Sequence, residues 1–112
     1  MDVERYLNDA KAKLGFESDY AFAKKLGVTQ ASITRYRKGD STFDEYMCFQ
    51  IADILGLDPS DLITEVKATT EKNPQKQAFW KDRLIEKAGK AIRGGLTKLR
   101  LIWIMLNLRY IH

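Results

Sequence analysis

An all-α fold is predicted by three observations. Apolar residues recur at helical spacing through the first seventy residues. Glycine closes one periodic segment after another, at Gly15, Gly27, Gly39 and Gly56, while Ser18, Thr29, Asp58 and Asn73 stand where helices begin. No stretch among them alternates convincingly as a strand does.

The elements follow in order. "VERYLNDAKAKLG" puts Val3, Tyr6, Leu7, Ala10 and Leu14 on one stripe and stops at Gly15. "SDYAFAKKLG" opens with Ser18 as N-cap and closes at Gly27. "TQASITRYRKG" opens with Thr29, and Val28 and Ile33 have the spacing of a hydrophobic staple. "TFDEYMCFQIADILG" buries Phe43, Met47, Ile51 and Leu55. "DPSDLITEVKAT" has Asp58 as cap and Pro59 at the first helical position. "TTEKNP" is then a short polar linker. A sixth helix restarts at Asn73-Pro74, with Ala78, Trp80, Leu84, Ile85, Ala88, Ala91 and Ile92 as its apolar stripe and Gly94-Gly95 as its interruption. The expected organisation is a five-helix domain over residues 1–70, followed over 71–112 by a basic amphipathic helix and an apolar tail segment.

Composition narrows the partners. The chain of 112 residues is 45% hydrophobic and 30% charged, which excludes disorder throughout. The net charge of +4 hides an asymmetry. Residues 1–70 hold nine Lys/Arg against twelve Asp/Glu, a net of −3; residues 71–112 hold ten against three, a net of +7. Within the acidic front half, residues 20–39 carry Lys24, Lys25, Arg35, Arg37 and Lys38 without an acid. A local cationic patch on an acidic body points to a polyanionic partner. The N-terminal stretch lacks the apolar run of a signal peptide, and the single cysteine, Cys48, sits in an apolar segment as a buried thiol; a cytoplasmic setting is expected.

The second and third segments have a specific pattern. Two helices joined by a tight turn need a small residue at their closest approach, a residue free to take φ > 0 at the turn, and apolar anchors on the inner side of the second helix. Ala23, Gly27, and Ile33 with Tyr36 supply these in order. Together with "QIADILGLDPSDLI", the segment "SDYAFAKKLGVTQASITRYRKGDSTFDEYMCFQIADILGLDPSDLI" resembles the Cro/repressor-type (XRE-type, lambda repressor-like) helix-turn-helix family, over about residues 3–66.

The resemblance implies double-stranded DNA as partner and assigns roles. Gln30, Ala31, Ser32, Thr34 and Arg35 would meet base edges in the major groove. Their chemistry suits that role, since Gln pairs with adenine, Arg with guanine, and an Ala or Thr methyl packs on thymine. Ser18, Lys38, Gly39, Ser41 and Thr42 would face phosphate. Two departures stand out. The family often has Glu where this chain has Arg37, which is expected to remove a usual intradomain ion pair. It often has Arg or Lys where this chain has Asp40-Ser41, which implies weaker phosphate anchoring from the loop.

The tail lies outside that family's minimal domain and bears a slight resemblance to C-terminal extensions of small filamentous-phage and prophage regulators. "LRLIWIMLNLRYI" is too short and too Arg-flanked to span a bilayer, which needs about 20 apolar residues. It is most simply covered by a second copy, as a helix or as strands paired across a two-fold axis, both being compatible with Ile102, Trp103 and Ile104. Trp80, Leu84, Leu99, Ile102, Trp103, Met105 and Leu106 are the expected dimerisation residues.

Enzyme chemistry has little to work with. The lone histidine is His112, there is no His/Cys/carboxylate cluster at metal-ligand spacing, and Gly94-Gly95 is no phosphate-cradling motif. Neither a cofactor nor catalysis is expected. The expected protein is a dimeric transcription regulator, a phage or prophage repressor or Cro-like switch on a palindromic operator. Two alternatives stand beside it: an antitoxin-type or anti-CRISPR-associated regulator that also binds a protein through the tail, and a protein-interaction module that keeps the fold without binding DNA.

Overall fold

The computed structural model describes residues 1–93. Among them are six helices and no strand: α1 (Val3–Leu14), α2 (Asp19–Leu26), α3 (Gln30–Lys38), α4 (Glu45–Leu55), α5 (Pro59–Thr70) and α6 (Pro74–Arg93). The expected contacts of Leu99, Ile102, Trp103, Met105 and Leu106 lie outside the described residues, and so does the choice between helix and strand for the tail.

Local chemistry sets the helix ends. Side-chain oxygens of Asp2, Ser18, Thr29 and Asp44 accept from backbone N–H groups of Arg5, Ala21, Ser32 and Met47, each three residues on. Asp58 and Asn73 do the same work ahead of Pro59 and Pro74, accepting from Ser60 and from Gln75 and Lys76. Each cap satisfies a donor that the helix cannot satisfy itself.

The chain divides into two compact units. The first is Asp2–Ile63. In it α1 packs on α3 and α4, and α2 packs on α3. Leu7, Ala10, Phe22, Leu26, Ile33, Met47 and Ile51 are fully or almost fully buried. Phe43, just before α4, stands between two rings: its centroid is 5.3 Å from that of Tyr36, edge-on, and 6.4 Å from that of Tyr6. These contacts root α3 through Ile33 and Tyr36 and leave its other side open.

The second unit runs from Thr64 through the described part of α6. Val66, Ala68, Leu84 and Ala88 are buried. The apolar stripe of α6 is narrower than its sequence suggested. Ala78 is exposed, Trp80 is half-buried, and Ile85 and Phe79 are 45% and 48% exposed. Among the described side chains of α6 the buried line is Leu84 and Ala88, four apart, because a side chain one position further round the helix already points some 100° away; the burial of Ala91 and Ile92 lies outside what is described. Phe79 instead meets the Trp80 ring edge-on at 5.1 Å and carries the Arg83 guanidinium at 4.9 Å.

Candidate nucleic-acid interface

The turn between α2 and α3 is built from the residues its spacing suggested. Gly27 has φ +74°, and the N–H groups of Gly27 and Val28 donate to Lys24 and Ala23 carbonyls, a Schellman ending. A second constraint acts on the same residue. Tyr46 of α4 donates its hydroxyl to the Leu26 carbonyl at 2.6 Å, and a Cβ on Gly27 would lie 3.0 Å from that oxygen. Ala23 is 2% exposed and is the small member of the buried set of α2, beside Phe22 and Leu26.

The geometry of α3 then separates its side chains by spacing. Ile33 and Tyr36 are buried, and Arg37, one turn on from Ile33, lies beside them at 19% side-chain exposure. Ala31, Thr34, Arg35 and Lys38 fall on one line at spacings of three and four and are all exposed, as is Gln30. Ser32 is half-buried. Arg35 and Arg37 are two residues apart, hence on opposite sides of the helix.

Several of the outward groups are held from behind. The Thr29 and Ser32 hydroxyls lie 2.9 Å apart, and Arg35 Nη2 donates to Ser32 Oγ at 3.2 Å. The Thr34 hydroxyl donates to the Gln30 carbonyl at 3.1 Å, which leaves its methyl as the group to offer outward. Ser32 therefore steadies Arg35, a part the sequence alone did not suggest. At the far end, the Gly39 N–H donates to the Tyr36 carbonyl and that of Asp40 to the Arg35 carbonyl. The Gly39 amide thus closes α3. Ser18 is exposed and spends its hydroxyl oxygen on the N-cap of α2, while Ser41 is half-buried and Thr42 exposed.

The expectation for Arg37 is corrected. It does not remove an ion pair; it makes the main one of this unit. Its Nε and Nη2 donate to the two carboxylate oxygens of Asp19 at 2.9 and 3.0 Å. Its Nη1 donates to Glu4 Oε1 at 3.1 Å and Asn8 Oδ1 at 2.8 Å. Lys11 joins at 3.1 Å from Asp19 Oδ1. Glu4, Asn8 and Lys11 are spaced four and three apart, so α1 presents them on one side. The Arg37 hydrogen bonds, followed by those of Lys11, hold the Asp19 carboxyl below its ordinary value against the opposing effect of partial burial; the same Asp19 bond raises Arg37. Burial and, after it, Asp44 raise the Tyr36 phenol.

This network escaped the sequence reading because the acid-free window ended at residue 20, one position after Asp19. The chain separation between Asp19 and Arg37 is 18 residues, and between Glu4 and Arg37 it is 33. No local pattern signals such a pairing. The clue available was Arg37 itself, placed one helical turn from an inward Ile33.

No group of His, Cys, Asp or Glu side chains able to hold a metal ion occurs among the described residues. No helix among them is long and apolar enough to cross a membrane. A family profile described as helix-turn-helix matches residues 18–62. Neither the curated proteins nor the solved structures give a significant match to the chain. The matched span begins at the Ser18 cap and ends in α5, so it contains the Gly27 turn, all of α3 and the Tyr46 buttress. Residues 18–62 are a helix-turn-helix domain of the XRE/Cro/C1 type, a domain that implies DNA binding and transcription regulation.

Proposed function

We propose that the protein is a phage or prophage repressor or Cro-like switch that acts as a dimer on a palindromic operator. The observation that supports it is the outward line of α3. Gln30, Ala31, Thr34 and Arg35 offer adenine, thymine-methyl and guanine chemistry from an exposed helix face that carries no acid. Lys38 follows at the phosphate edge, with Ser18, Gly39, Ser41 and Thr42 as the further phosphate-side groups. The assignment of bases to residues comes from side-chain chemistry and the helix line.

Dimerisation is supported by composition. Beyond Gly95 the sequence holds Leu99, Leu101, Ile102, Trp103, Ile104, Met105, Leu106 and Leu108. Burying each large apolar side chain contributes about 1.5–3 kcal/mol, enough in sum to offset the entropy cost of association. In the single chain Leu84 is already covered, so of the two α6 residues assigned to the dimer contact Trp80 retains the more surface. A dimer sets two recognition helices about 34 Å apart, one helical turn of DNA. On this reading residues 1–70 bind operator DNA, residues 71–112 pair the subunits, and the site of action is the cytoplasm.

Selection of bound duplexes from a random-sequence pool tests the reading. It expects a two-fold symmetric site whose half-sites are about 10 bp apart. Truncation after Gly95 should leave a helical, monomeric domain that binds a half-site weakly and loses cooperative binding to the whole. A truncated chain that still sediments as a dimer would move the interface elsewhere. A second reading, a protein-interaction module, is favoured by the −3 charge of the front half and by the internal capture of Arg37. Absence of any enriched duplex would select it.

A further inference from the structure

The side chain of Arg37 belongs to α3, yet its charge is turned away from the exposed line of that helix. Four of its N–H donors are committed, to Asp19, Glu4 and Asn8, all at 2.8–3.1 Å. The acceptors sit on α1 and on the first residue of α2, so one guanidinium joins three helices. A planar fork gripping both oxygens of a carboxylate fixes direction as well as distance.

The position of Asp19 gives that grip a second consequence. Asp19 follows Ser18, the N-cap of α2, at the helix end assigned to phosphate. A helix N-terminus attracts anions through its free N–H groups and its dipole. A carboxylate in that first turn competes with phosphate for the same field and repels it. Arg37 and Lys11 answer the charge from behind.

We propose that Arg37 is a positioning residue of the DNA interface, which holds α3 against α1 and α2 and cancels the Asp19 carboxylate at the phosphate-facing end of α2, without touching DNA itself. The proposal rests on the DNA-facing reading of α3 and of the start of α2. It explains why a cation can stand on the inner side of the recognition helix. Its value to binding lies in the carboxylate it removes from the phosphate's path.

The test compares wild type, Arg37→Met, Arg37→Lys, Asp19→Asn, the Asp19→Asn/Arg37→Met double variant and Lys38→Ala. The probes are a duplex enriched from a random pool by the wild-type chain and a mixed-sequence duplex. Affinity is read by fluorescence anisotropy across a salt series, below the melting temperature of every variant. Arg37→Met should bind both duplexes roughly three- to tenfold more weakly, the size of one unanswered charge near a phosphate. Its salt slope should equal that of wild type, whereas Lys38→Ala should flatten the slope by about one. Arg37→Lys should fall between, keeping the charge and losing the fork.

The deciding variant is the double one. Removing the Asp19 charge as well should recover most of the affinity lost in Arg37→Met, which a merely structural role would not do. A double variant as weak as the single one overturns the proposal. So does a slope for Arg37→Met that flattens as that of Lys38→Ala does, because Arg37 would then be a phosphate contact. A wild-type chain that binds neither duplex refutes the DNA-facing reading itself and takes the proposal with it, a result visible before any variant is made.

Discussion

Both α3 and α6 are basic amphipathic helices, and they dispose of their charge in opposite ways. In α6, Glu86 takes Lys90 at 3.3 Å and Arg83 at 3.7 Å, pairs three and four residues apart on an exposed surface. The helix neutralises part of its charge on itself. There is no acid in α3, so none of its cations can do this. Arg35 leans on the Ser32 hydroxyl, Arg37 crosses to Asp19 and Glu4, and Lys38 is exposed. The net charge of a helix therefore says little about the field it presents; the place of the counter-charge decides it.

The comparison breaks most strongly if α3 is loosened at its root. Ile33→Ala should cost about 2–5 kcal/mol of unfolding free energy, since Ile33 is fully buried. Thermal or denaturant melts would show it, with DNA affinity falling in parallel at temperatures where the domain is loosened. A wild-type melt would mean that α3 is not anchored through Ile33.

The outward face should respond differently. Arg35→Ala should cost about 1–3 kcal/mol on the selected duplex and relax preference at one base pair. Lys38→Ala should weaken all duplexes alike. Equal losses for Arg35→Ala on selected and scrambled DNA would remove its base-reading role.

Acid sharpens the inner side. The Asp19 carboxyl is depressed by Arg37, so the stabilisation it brings is complete above the ordinary carboxylate range. It is lost as pH falls from that range through the lowered value. The bidentate, partly screened pair should contribute about 1–2 kcal/mol. Melts of wild type and Arg37→Met should converge below that window and separate above it. Parallel curves across the whole range would show that the pair contributes nothing.

The smallest effect belongs to α6. Glu86→Gln should shift stability by no more than about 0.5 kcal/mol, because solvent screens both of its pairs. A larger loss would mean that the surface pairs of α6 are not independent of its packing.

Most of the architecture was legible because it is local. The caps at Ser18, Thr29, Asp58 and Asn73 each act within three residues, and the glycine endings act within six. Periodicity of 3.6 then identifies Ile33 and Tyr36 as inward and leaves the line from Ala31 to Lys38 outward. The same reasoning explains why Ala78 and Ile85 of α6 stay exposed although their spacing places them on its apolar stripe. Apolar residues at helical spacing show which face is eligible for burial, while the depth of the neighbouring surface decides how much of it is covered.

The sequence by itself determined the six helices, the helix-turn-helix pattern and the residue types available to meet DNA. Only the tertiary structure decided what each charge does. Arg37 was a departure from a family pattern until α1 and α2 brought Glu4, Asn8 and Asp19 to it. Tyr46 carries no signal of its part in the sequence, and only the fold brings its hydroxyl to the Leu26 carbonyl beside Gly27. The physical reason is common to both. Backbone hydrogen bonds and caps join residues a few positions apart, so they leave a signature in the chain. An ion pair needs only that two side chains meet in space, and over 18 or 33 residues folding alone determines that they do.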